Sequence, residues 1–437
     1  MPPFARALPP ICFAALAAAC VAKPPETLPA TELSMPDRPL ACDSDDGGLA
    51  LPPGFCAGVV ADDLPPVRQL AVAPNGDVYA ALRRGPSEGG GVVALRDADR
   101  DGEIDERETF GEGRGNDVEL RDGFLYYAAD DRIVRWRLGA ALAPDGAAEV
   151  IVSDLPTDGS HIAKSIAFRG DTMFVNVGSA SNACQEKDRI PGSPGRDPCD
   201  ELSERAGIWA FDAAAPGQRF TPERRYATGL RNAMALAVHP ETGRLYAAVH
   251  GRDQLSDNWG FSPQRNATNP AEEVVVVERG GDYGWPYCYE SVEPKAKVLA
   301  PEYGGDGEQV GRCSTAKRPV VTLPGHWAPM ALAFYGDTAF GPGYRGGAFL
   351  AMHGSWNRAP LPEEGYRVVF LPFRGNQPTG EFETFATHRD GATRLRAAGV
   401  AVGPDGSLYI SADRDPTIWR VMRISGGGPA PARSPRE

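Results

Sequence analysis

The stretch Leu70-Ala-Val-Ala-Pro-Asn-Gly-Asp-Val-Tyr79 decides the fold, because it reads as two short apolar strands joined by a tight turn. An Asn-Gly pair between two such strands is a strong signal for a β-hairpin. The same pattern, with an aromatic or aliphatic residue in the second strand, recurs along the chain. The copies are Leu70–Tyr79, Val118–Tyr126, Ser165–Phe174, Ala235–Tyr246, a degenerate Ala331–Asp337, and Gly399–Tyr409.

Six copies of one hairpin predict an all-β fold, a six-bladed β-propeller. Successive copies begin about 48 residues apart at first and up to about 96 residues apart later, which fits four-stranded blades with long insertions. A β-sandwich with chance hairpin similarity is the alternative, and the regular spacing argues against it. In a propeller, loops at one end of the central channel converge, so polar residues from distant positions can share a site there.

Composition and charge restrict the partners. The 437 residues include 45 Lys and Arg against 58 Asp and Glu, a net charge of -13. No basic run with interleaved aromatic residues occurs, so nucleic acid is not an expected partner, and small molecules or cations fit better. The 51 Gly and 41 Pro favour many turns between short strands.

The chain ends predict export. Residues 1–20 resemble a secretion signal peptide, with an apolar stretch from Ile11 to Ala19 before Cys20. The small residues before Cys20 resemble a bacterial lipobox, so a lipid on Cys20 is the only membrane contact we expect, in a periplasmic protein anchored to the outer membrane. Residues 21–45 predict a flexible linker, 46–424 the propeller and 425–437 a disordered tail.

Six further cysteines suit an oxidising compartment. Three disulfides are the natural interpretation, and sequence alone allows 15 connectivities. The close pairs 42/56, 184/199 and 288/313 would each close a local loop. A metal site is less well supported, because no Cys-x-x-Cys spacing occurs.

One acidic stretch predicts a calcium loop. Residues 97–108 match the twelve-position pattern at its ligand positions, with Asp97, Asp99, Asp101, Asp105 and Glu108 supplying carboxylates. Its flanks read as strands rather than the helices of an EF-hand, so we expect a structural calcium loop between blade strands. A solvated acidic turn without metal is the alternative.

Several polar clusters stand where a predicted blade strand begins or ends. They are His161–Ser165, Gly229–Asn232, Val249–Asp253, Met352–Arg358 and Arg394–Arg396. Taken singly, each is weak evidence, because a lone His in a loop usually only donates a hydrogen bond and a lone Arg is usually solvated. In a propeller these strand ends would bring them together.

Four runs carry a family resemblance: Tyr226-Ala-Thr-Gly-Leu-Arg-Asn232, His239-Pro-Glu-Thr-Gly-Arg-Leu-Tyr246, Gly280-Gly-Asp-Tyr-Gly-Trp-Pro286 and His353-Gly-Ser-Trp-Asn-Arg358. They closely resemble the soluble pyrroloquinoline-quinone-dependent sugar dehydrogenases, the sorbosone dehydrogenase-like branch above all. The similarity extends from about Leu51 to Val421. It implies a propeller that holds pyrroloquinoline quinone (PQQ) and Ca²⁺ at the channel mouth and oxidises a sugar, polyol or aldehyde, passing electrons to a quinone, dye or cytochrome.

The resemblance also implies roles for individual residues. His161 matches the general base that takes the substrate hydroxyl proton while hydride passes to the quinone. Arg231 and Asn232 match quinone ligands, and Arg231 would also stabilise the reduced oxygen. The backbone carbonyls of Gly251 and Arg252 match the pair that binds calcium.

A second set of arginines matches groups that bind the carboxylates of the cofactor. Arg394 and Arg396 resemble the family's pair, and Arg358 would add to them. The chemistry agrees, because the three carboxylates of PQQ call for several fixed cations, and the planar guanidinium suits a carboxylate better than an ammonium does.

Two other functions remain open at this point. Asn232 is followed by Ala233, and Arg252 stands after Gly251, where the family usually has Pro in both places. These departures motivate a propeller that binds a partner without cofactor. A calcium-dependent hydrolase of the lactonase type is the other alternative, with Asn116 and Asp117 as scattered candidate ligands.

Overall fold

The computed structural model describes residues 42–83, 90–391 and 393–424, together with the backbone of 432–433. The predicted signal peptide, Cys20 and most of the predicted linker and tail lie outside these residues. Within the described part of the chain, no helix is both long and apolar enough to cross a membrane.

The chain forms six blades around a central channel, so the predicted six-bladed β-propeller is confirmed. Each predicted hairpin supplies the first and second strands of one blade. The strands are Val67–Val72, Val78–Leu82, Gly91–Arg96 and Glu106–Phe110 in blade 1; Gly115–Arg121, Phe124–Ala129, Ile133–Arg137 and Glu149–Ser153 in blade 2; Ile166–Arg169, Thr172–Val177, Gly207–Asp212 and Arg225–Thr228 in blade 3; Ala235–Val238, Leu245–Val249, Glu272–Val277 and Val321–Leu323 in blade 4; Pro329–Phe334, Ala348–Ser355, Glu364–Leu371 and Glu383–His388 in blade 5; and Ala397–Val402, Leu408–Ala412, Thr417–Arg423 and Phe55–Ala61 in blade 6.

Smaller elements decorate the blades. Short strands extend two sheets, Gln218–Arg219 at blade 2 and Leu49–Ala50 at blade 5. The others are the α-helices Leu255–Trp259 and Pro263–Thr268, the hairpins Cys288–Ser291 with Ala296–Leu299 and Phe373–Arg374 with Gln377–Pro378, and the 3-10 turns Asp46–Gly48, Asp200–Ser203, Pro222–Arg224, Pro301–Tyr303 and Gly311–Thr315.

The two ends of the propeller sequence meet in blade 6. Phe55–Ala61 pairs antiparallel with Thr417–Arg423 and forms the outer strand of that blade. A disulfide between Cys42 and Cys56 ties the preceding segment to this strand. The ring is therefore closed by backbone hydrogen bonds between its first and last strands.

The last residues of the predicted linker are structured. Residues 42–45 fall inside the predicted linker, yet Cys42 is buried and its disulfide fixes it. Cys42–Asp43 also pairs in parallel with Ala432–Arg433, which lies inside the predicted tail. A cross-link and a strand pair thus hold these four described residues of the predicted linker and tail, Cys42 with Asp43 and Ala432 with Arg433.

Apolar side chains pack between neighbouring blades. Large buried residues such as Tyr79, Tyr127 and Trp209 fill the spaces between sheets, while small alanines stand opposite them. Each large side chain taken out of water contributes roughly 1.5–3 kcal/mol. This packing makes the blades a rigid support for the loops at their ends.

Strand direction sorts the loops between the two ends of the channel. The mouth is the end of the channel at which the first strand of each blade begins and the second strand of each blade ends. Because neighbouring strands are antiparallel, the connections between blades and those from second to third strands lie at the mouth. All five predicted polar clusters fall in these connections. The acidic loop 97–108 joins the third and fourth strands of blade 1 and lies at the opposite end.

Candidate active site at the channel mouth

A polar floor closes the channel beneath the mouth. The Nε2 atom of Gln69 lies 3.0 Å from Ser165 Oγ, 3.1 Å from the Met234 carbonyl oxygen and 2.9 Å from that of Met330. Asn116 Nδ2 donates to the same Ser165 hydroxyl at 3.0 Å. These contacts connect the first strands of blades 1 to 5, so ligands at the mouth stand on a fixed surface.

His161 enters the mouth from the connection between blades 2 and 3. Its Nδ1 lies 2.9 Å from the carbonyl oxygen of Ser179 and 2.9 Å from the hydroxyl of the same residue. A carbonyl oxygen only accepts, so Nδ1 carries the proton and Nε2 keeps a free lone pair. Burial, followed by the positive charge of Arg231, lowers the pKa of His161 well below its ordinary value. The imidazole is therefore neutral and able to accept a proton.

Asn232 lies beside His161 and has an unused acceptor. Its Oδ1 is buried and has no hydrogen-bond partner among the described residues. A Cβ added to Gly178 would stand 2.5 Å from His161 Cβ and 3.0 Å from Asn232 Oδ1. The missing side chain at position 178 thus lets the predicted base and the predicted quinone ligand approach each other.

His250 supports Asn232 from the second strand of blade 4. Its Nε2 donates to the Pro329 carbonyl oxygen at 2.8 Å, which leaves Nδ1 as an acceptor 3.4 Å from Asn232 Nδ2. Burial lowers the pKa of His250 to about 4. The amide orientation follows, with the unpartnered Oδ1 of Asn232 directed away from His250.

Arg231 is held by the protein framework. Its guanidinium donates to the Gly251 carbonyl oxygen at 2.8 Å, to Asn182 Oδ1 at 2.9 Å and to Asp253 Oδ2 at 3.1 Å. Burial alone would raise the pKa of Asp253, but Arg231, His326 and Arg189 hold it well below its usual range. Arg231 therefore organises the site, including the carbonyl predicted to bind calcium.

The backbone at Gly251 and Arg252 is held from both sides. Gly251 N donates to Glu272 Oε2 at 3.0 Å, and burial raises the pKa of Glu272 to about 8. The Arg252 side chain turns away into a buried ion pair with Glu302 at 2.8 Å. Only the main-chain carbonyl of Arg252 is left for the predicted metal role. Glu272 was not predicted, because it begins a strand that continues into four valines and belongs to no recognised motif.

A second polar group gathers around Asp413. Its carboxylate lies 3.0 Å from His353 Nε2, 3.1 Å from Arg68 Nη2 and 3.6 Å from Arg396 Nε. Arg396 Nε also donates to His353 Nδ1 at 3.3 Å. The predicted His353 and Arg396 are thus brought together. Sequence reasoning missed Arg68 and Asp413, although Asp413 directly follows the second strand of blade 6 and Arg68 is the second residue of blade 1.

The other two predicted arginines are placed differently. Arg394 is exposed near His388, at the start of blade 6. Arg358 is buried and donates to the carbonyl oxygens of Ala267 and Pro362. A further ion pair of 3.2 Å joins it to Glu364. These contacts use a donor on each nitrogen of Arg358 to pack the mouth loops, so its role toward the cofactor stays a prediction.

Trp356 is the exposed aromatic residue of the mouth loop in blade 5, with 59% of its surface accessible. Its neighbour Asn357 is fixed, since the backbone donates to Ser355 Oγ at 2.9 Å and the side chain lies 3.0 Å from the His326 ring. A rigid loop thus holds an indole ring in solvent.

Two disulfides fasten the insertions beside the mouth. Cys184–Cys199 closes the insertion of blade 3, and Cys288–Cys313 closes that of blade 4. With Cys42–Cys56, all three predicted local pairs are confirmed. The first insertion also carries Asn182, a main partner of Arg231.

The acidic loop brings part of its predicted ligand set together. Ligand oxygens of Asp97, Asp99 and Asp105 lie within 4.8 Å of one another. Asp101 and Glu108 do not belong to that cluster. The backbone of Gly102 donates to Asp97 Oδ2 at 2.7 Å, so the loop wraps around Asp97. The loop lies at the end of the channel opposite the mouth, far from His161.

The candidates for a hydrolytic calcium site do not reach the mouth. Asn116 is part of the polar floor, and Asp117 accepts a hydrogen bond of 2.8 Å from the backbone of Ile166. Asp117 lines the channel cavity of about 450 Å³ on the other side of that floor.

Fold and mouth together define a six-bladed propeller with a buried, arginine-rich site built around neutral histidines. The model of the TrAA12-like family matches residues 49–424, and the chain belongs to that family. The resemblance drawn from the sequence motifs is confirmed at this level.

A named protein has a sequence similar to that of this chain. A pyrroloquinoline quinone-dependent pyranose dehydrogenase from Coprinopsis cinerea is 29% identical over 266 residues, which cover 51% of this chain and 35% of the relative. The chain spans about half or less of the length of the curated relatives it matches.

Two solved structures share the fold. The PQQ domain of the Coprinopsis cinerea pyranose dehydrogenase, in its holo form, superimposes with a TM-score of 0.69 at 20% identity, covering 86% of this chain and 97% of that one. A calcium structure of the Trichoderma reesei family AA12 enzyme gives a TM-score of 0.71 at 18% identity, with 86% and 97% covered.

Proposed function

We propose that this protein is an exported, periplasmic quinoprotein that oxidises a sugar or a related polyol or aldehyde, with PQQ as cofactor. The observation that carries the proposal is His161, whose Nδ1 donates to the Ser179 carbonyl oxygen and so leaves Nε2 as the acceptor, beside Asn232 Oδ1, which has no hydrogen-bond partner among the described residues. The similarity to PQQ-dependent pyranose dehydrogenase supports the same chemistry.

The residues of the mouth fit the cofactor. A buried acceptor without a partner is unfavourable by about 1–3 kcal/mol, and a donor on the quinone would relieve that penalty at Asn232. Arg396 and the exposed Arg394 are cations for the carboxylates of the cofactor. When bound, the quinone supplies the two-electron acceptor that no amino-acid side chain provides.

His161 supplies the proton acceptor for this chemistry. Its Nδ1 proton is held by Ser179, so a substrate hydroxyl would give its proton to Nε2. The lowered pKa keeps the base form populated at neutral pH. Arg231 remains bound to Asn182, Asp253 and Gly251. Its charge makes the electrostatic potential at the mouth more positive, which would stabilise negative charge that develops in the reaction.

Calcium belongs to the proposal at two separate places. At the mouth, the carbonyls of Gly251 and Arg252 are the candidate ligands, and the Gly251 oxygen keeps one lone pair beside its hydrogen bond from Arg231. At the opposite end, Asp97, Asp99 and Asp105 form a candidate structural site. The first would assist the quinone, and the second would stabilise blade 1.

Export, the lipid on Cys20 and transfer of electrons to a quinone, dye or cytochrome complete the proposal. They rest on the signal-like residues 1–20 and on the chemistry of a reduced cofactor that must be reoxidised. The proposed substrate is a class of compounds, sugars and related polyols or aldehydes. The mouth loops around Trp356 would determine which of them fits.

Reconstitution tests the proposal. Purified apo-protein is loaded with PQQ and Ca²⁺, desalted, and assayed by dye reduction with a panel of aldoses, polyols and sugar aldehydes. We expect retained quinone absorbance and turnover with at least one sugar, and a large loss of turnover with unchanged quinone retention in His161→Ala. Absence of both retained quinone and dye reduction would refute the proposed function. Wild-type turnover in His161→Ala would remove that residue from the mechanism.

A further inference from the structure

Arg68 lies at the mouth end of the channel. It is the second residue of the first strand of blade 1, one residue closer to the mouth than Gln69 of the polar floor. Its Nη1 lies 4.0 Å from the sulfur of Met330, on the first strand of blade 5. Blades 1 and 5 are separated by blade 6, so this contact crosses the channel. The guanidinium therefore stands at the mouth, directly above the floor.

The guanidinium of Arg68 has donors to spare. Nη2 forms an ion pair with Asp413 Oδ2 at 3.1 Å. Nε is buried and has no hydrogen-bond partner among the described residues, while Nη1 contacts only the weak acceptor of a thioether. A buried N–H donor without a partner, such as Nε, is unfavourable unless a ligand accepts from it.

The charges around Arg68 favour an anionic ligand. Asp413 is shared between the guanidiniums of Arg68 and Arg396, so two positive charges face one negative charge. His353 adds no further charge at neutral pH, because burial lowers its pKa to about 4. Asp130, the other carboxylate whose charge acts on Arg68, already binds Arg83. The group of Arg68, Arg396 and Asp413 thus keeps one positive charge in excess.

We propose that Arg68 is a further cofactor-binding residue, whose free donors take a carboxylate of the quinone. Asp413 is a positioning residue that holds Arg68 and Arg396 on the same side of the mouth. Arg68 thereby fills the place that the sequence assigned to Arg358. The inference rests on the proposed function, because it names a residue of that same cofactor site.

The test measures quinone affinity rather than activity. Apo-protein with saturating Ca²⁺ is titrated with PQQ, and binding is followed by quenching of tryptophan fluorescence. Arg68→Met keeps the length of the side chain and removes its charge. We expect at least a tenfold rise in Kd for Arg68→Met, partial recovery in Arg68→Lys, and a smaller rise for Asp413→Asn. Arg121→Met, an equal charge change at the opposite end of the channel, serves as the matched control and keeps the wild-type Kd.

A second ligand separates a carboxylate contact from a general loss of structure. The trimethyl ester of PQQ lacks the negative charges, so its affinity should be the same for wild type and Arg68→Met. Equal affinity of both proteins for PQQ itself would overturn the inference, and so would an equal loss for PQQ and for the ester. If the wild-type protein binds no PQQ, the proposed function fails first, and the inference fails with it.

Discussion

The Nδ1 atom of His161 lies 2.9 Å from the carbonyl oxygen of Ser179, and this one contact determines which ring nitrogen can act as a base. Ser179 N in turn donates to the Arg231 carbonyl oxygen at 2.7 Å, so the connection into blade 4 holds the partner of His161 in place. Backbone atoms therefore set the orientation of the imidazole. Substitution of neighbouring side chains would not remove them.

The pH dependence of turnover should follow the lowered pKa of His161. Burial and the charge of Arg231 disfavour the protonated ring, so the base form persists as the pH falls through the ordinary histidine value of about 6.5. We expect the rate of the loaded enzyme, measured as kcat against pH, to stay level down to about pH 6.5 and to decline only below it. An acid limb centred above pH 7 would contradict this assignment.

Asn232→Leu should separate binding from stability. The substitution removes a buried Oδ1 that has no partner among the described residues, which favours folding, and it breaks the long 3.4 Å contact of Nδ2 with His250, which opposes folding. Because the two effects offset each other, the free energy of unfolding should change by less than about 1 kcal/mol. The affinity for PQQ should fall at least tenfold, because the acceptor for the cofactor is lost. Urea denaturation and a quinone titration of the same samples check both statements. A variant that is much less stable but binds PQQ normally would show a purely structural amide.

Asp97→Asn should affect stability but not the cofactor. Asp97 is the centre of the acidic loop, where Gly102 and Asp101 donate to its two oxygens. If the loop holds calcium, added Ca²⁺ should raise the Tm of wild type more than that of Asp97→Asn. The Kd for PQQ should be equal in both, because the loop lies at the opposite end of the channel. An unchanged Ca²⁺-dependent rise in Tm would favour the solvated acidic turn.

Two disulfides can be removed one at a time, each by a double alanine substitution. The two variants should lose the same stability but differ in their affinity for the quinone. Cys184–Cys199 and Cys42–Cys56 span 15 and 14 residues, so each double alanine variant should lose about 3 kcal/mol in the free energy of unfolding. Quinone affinity should fall only in the first pair, because its insertion carries Asn182, which holds Arg231. Equal quinone affinity in both variants would mean that the blade 3 insertion does not support the site.

Trp356→Ala should act on the substrate. The indole is exposed on a fixed loop at the mouth, where its flat apolar face can pack against a sugar ring. We expect KM for the sugar to rise several-fold with kcat little changed, since the contact is equally present in ground and transition states. Trp356→Phe should recover most of the affinity. A fall in kcat at constant KM would instead place Trp356 near the reacting atoms.

The propeller and much of its mouth follow from local patterns. Each hairpin carries its own turn and alternation, so the blades could be predicted from stretches such as Leu70–Tyr79. The polar clusters stand at strand ends, and topology then brings His161, Asn232 and Arg396 to one end of the channel. The local disulfides could be predicted for the same reason, because loops of 14, 15 and 25 residues keep their ends close.

What could not be predicted depends on contacts across the ring. Arg358 belongs to a motif of the mouth, but its direction is set by the carbonyl of Ala267 in another blade. Arg68 and Asp413 come from opposite ends of the chain and meet only because the ring closes. The floor built by Gln69 depends in the same way on the first strands of three other blades.

The shared construction of blade 6 has a consequence for biogenesis. Its outer strand is made among the first residues of the propeller and its other three strands among the last, so a nascent chain cannot finish the ring before synthesis is nearly complete. Until then the arc has two open strand edges, which are prone to pair with other chains. Termination shortly before Thr417 should therefore yield not a smaller working propeller but an aggregation-prone fragment.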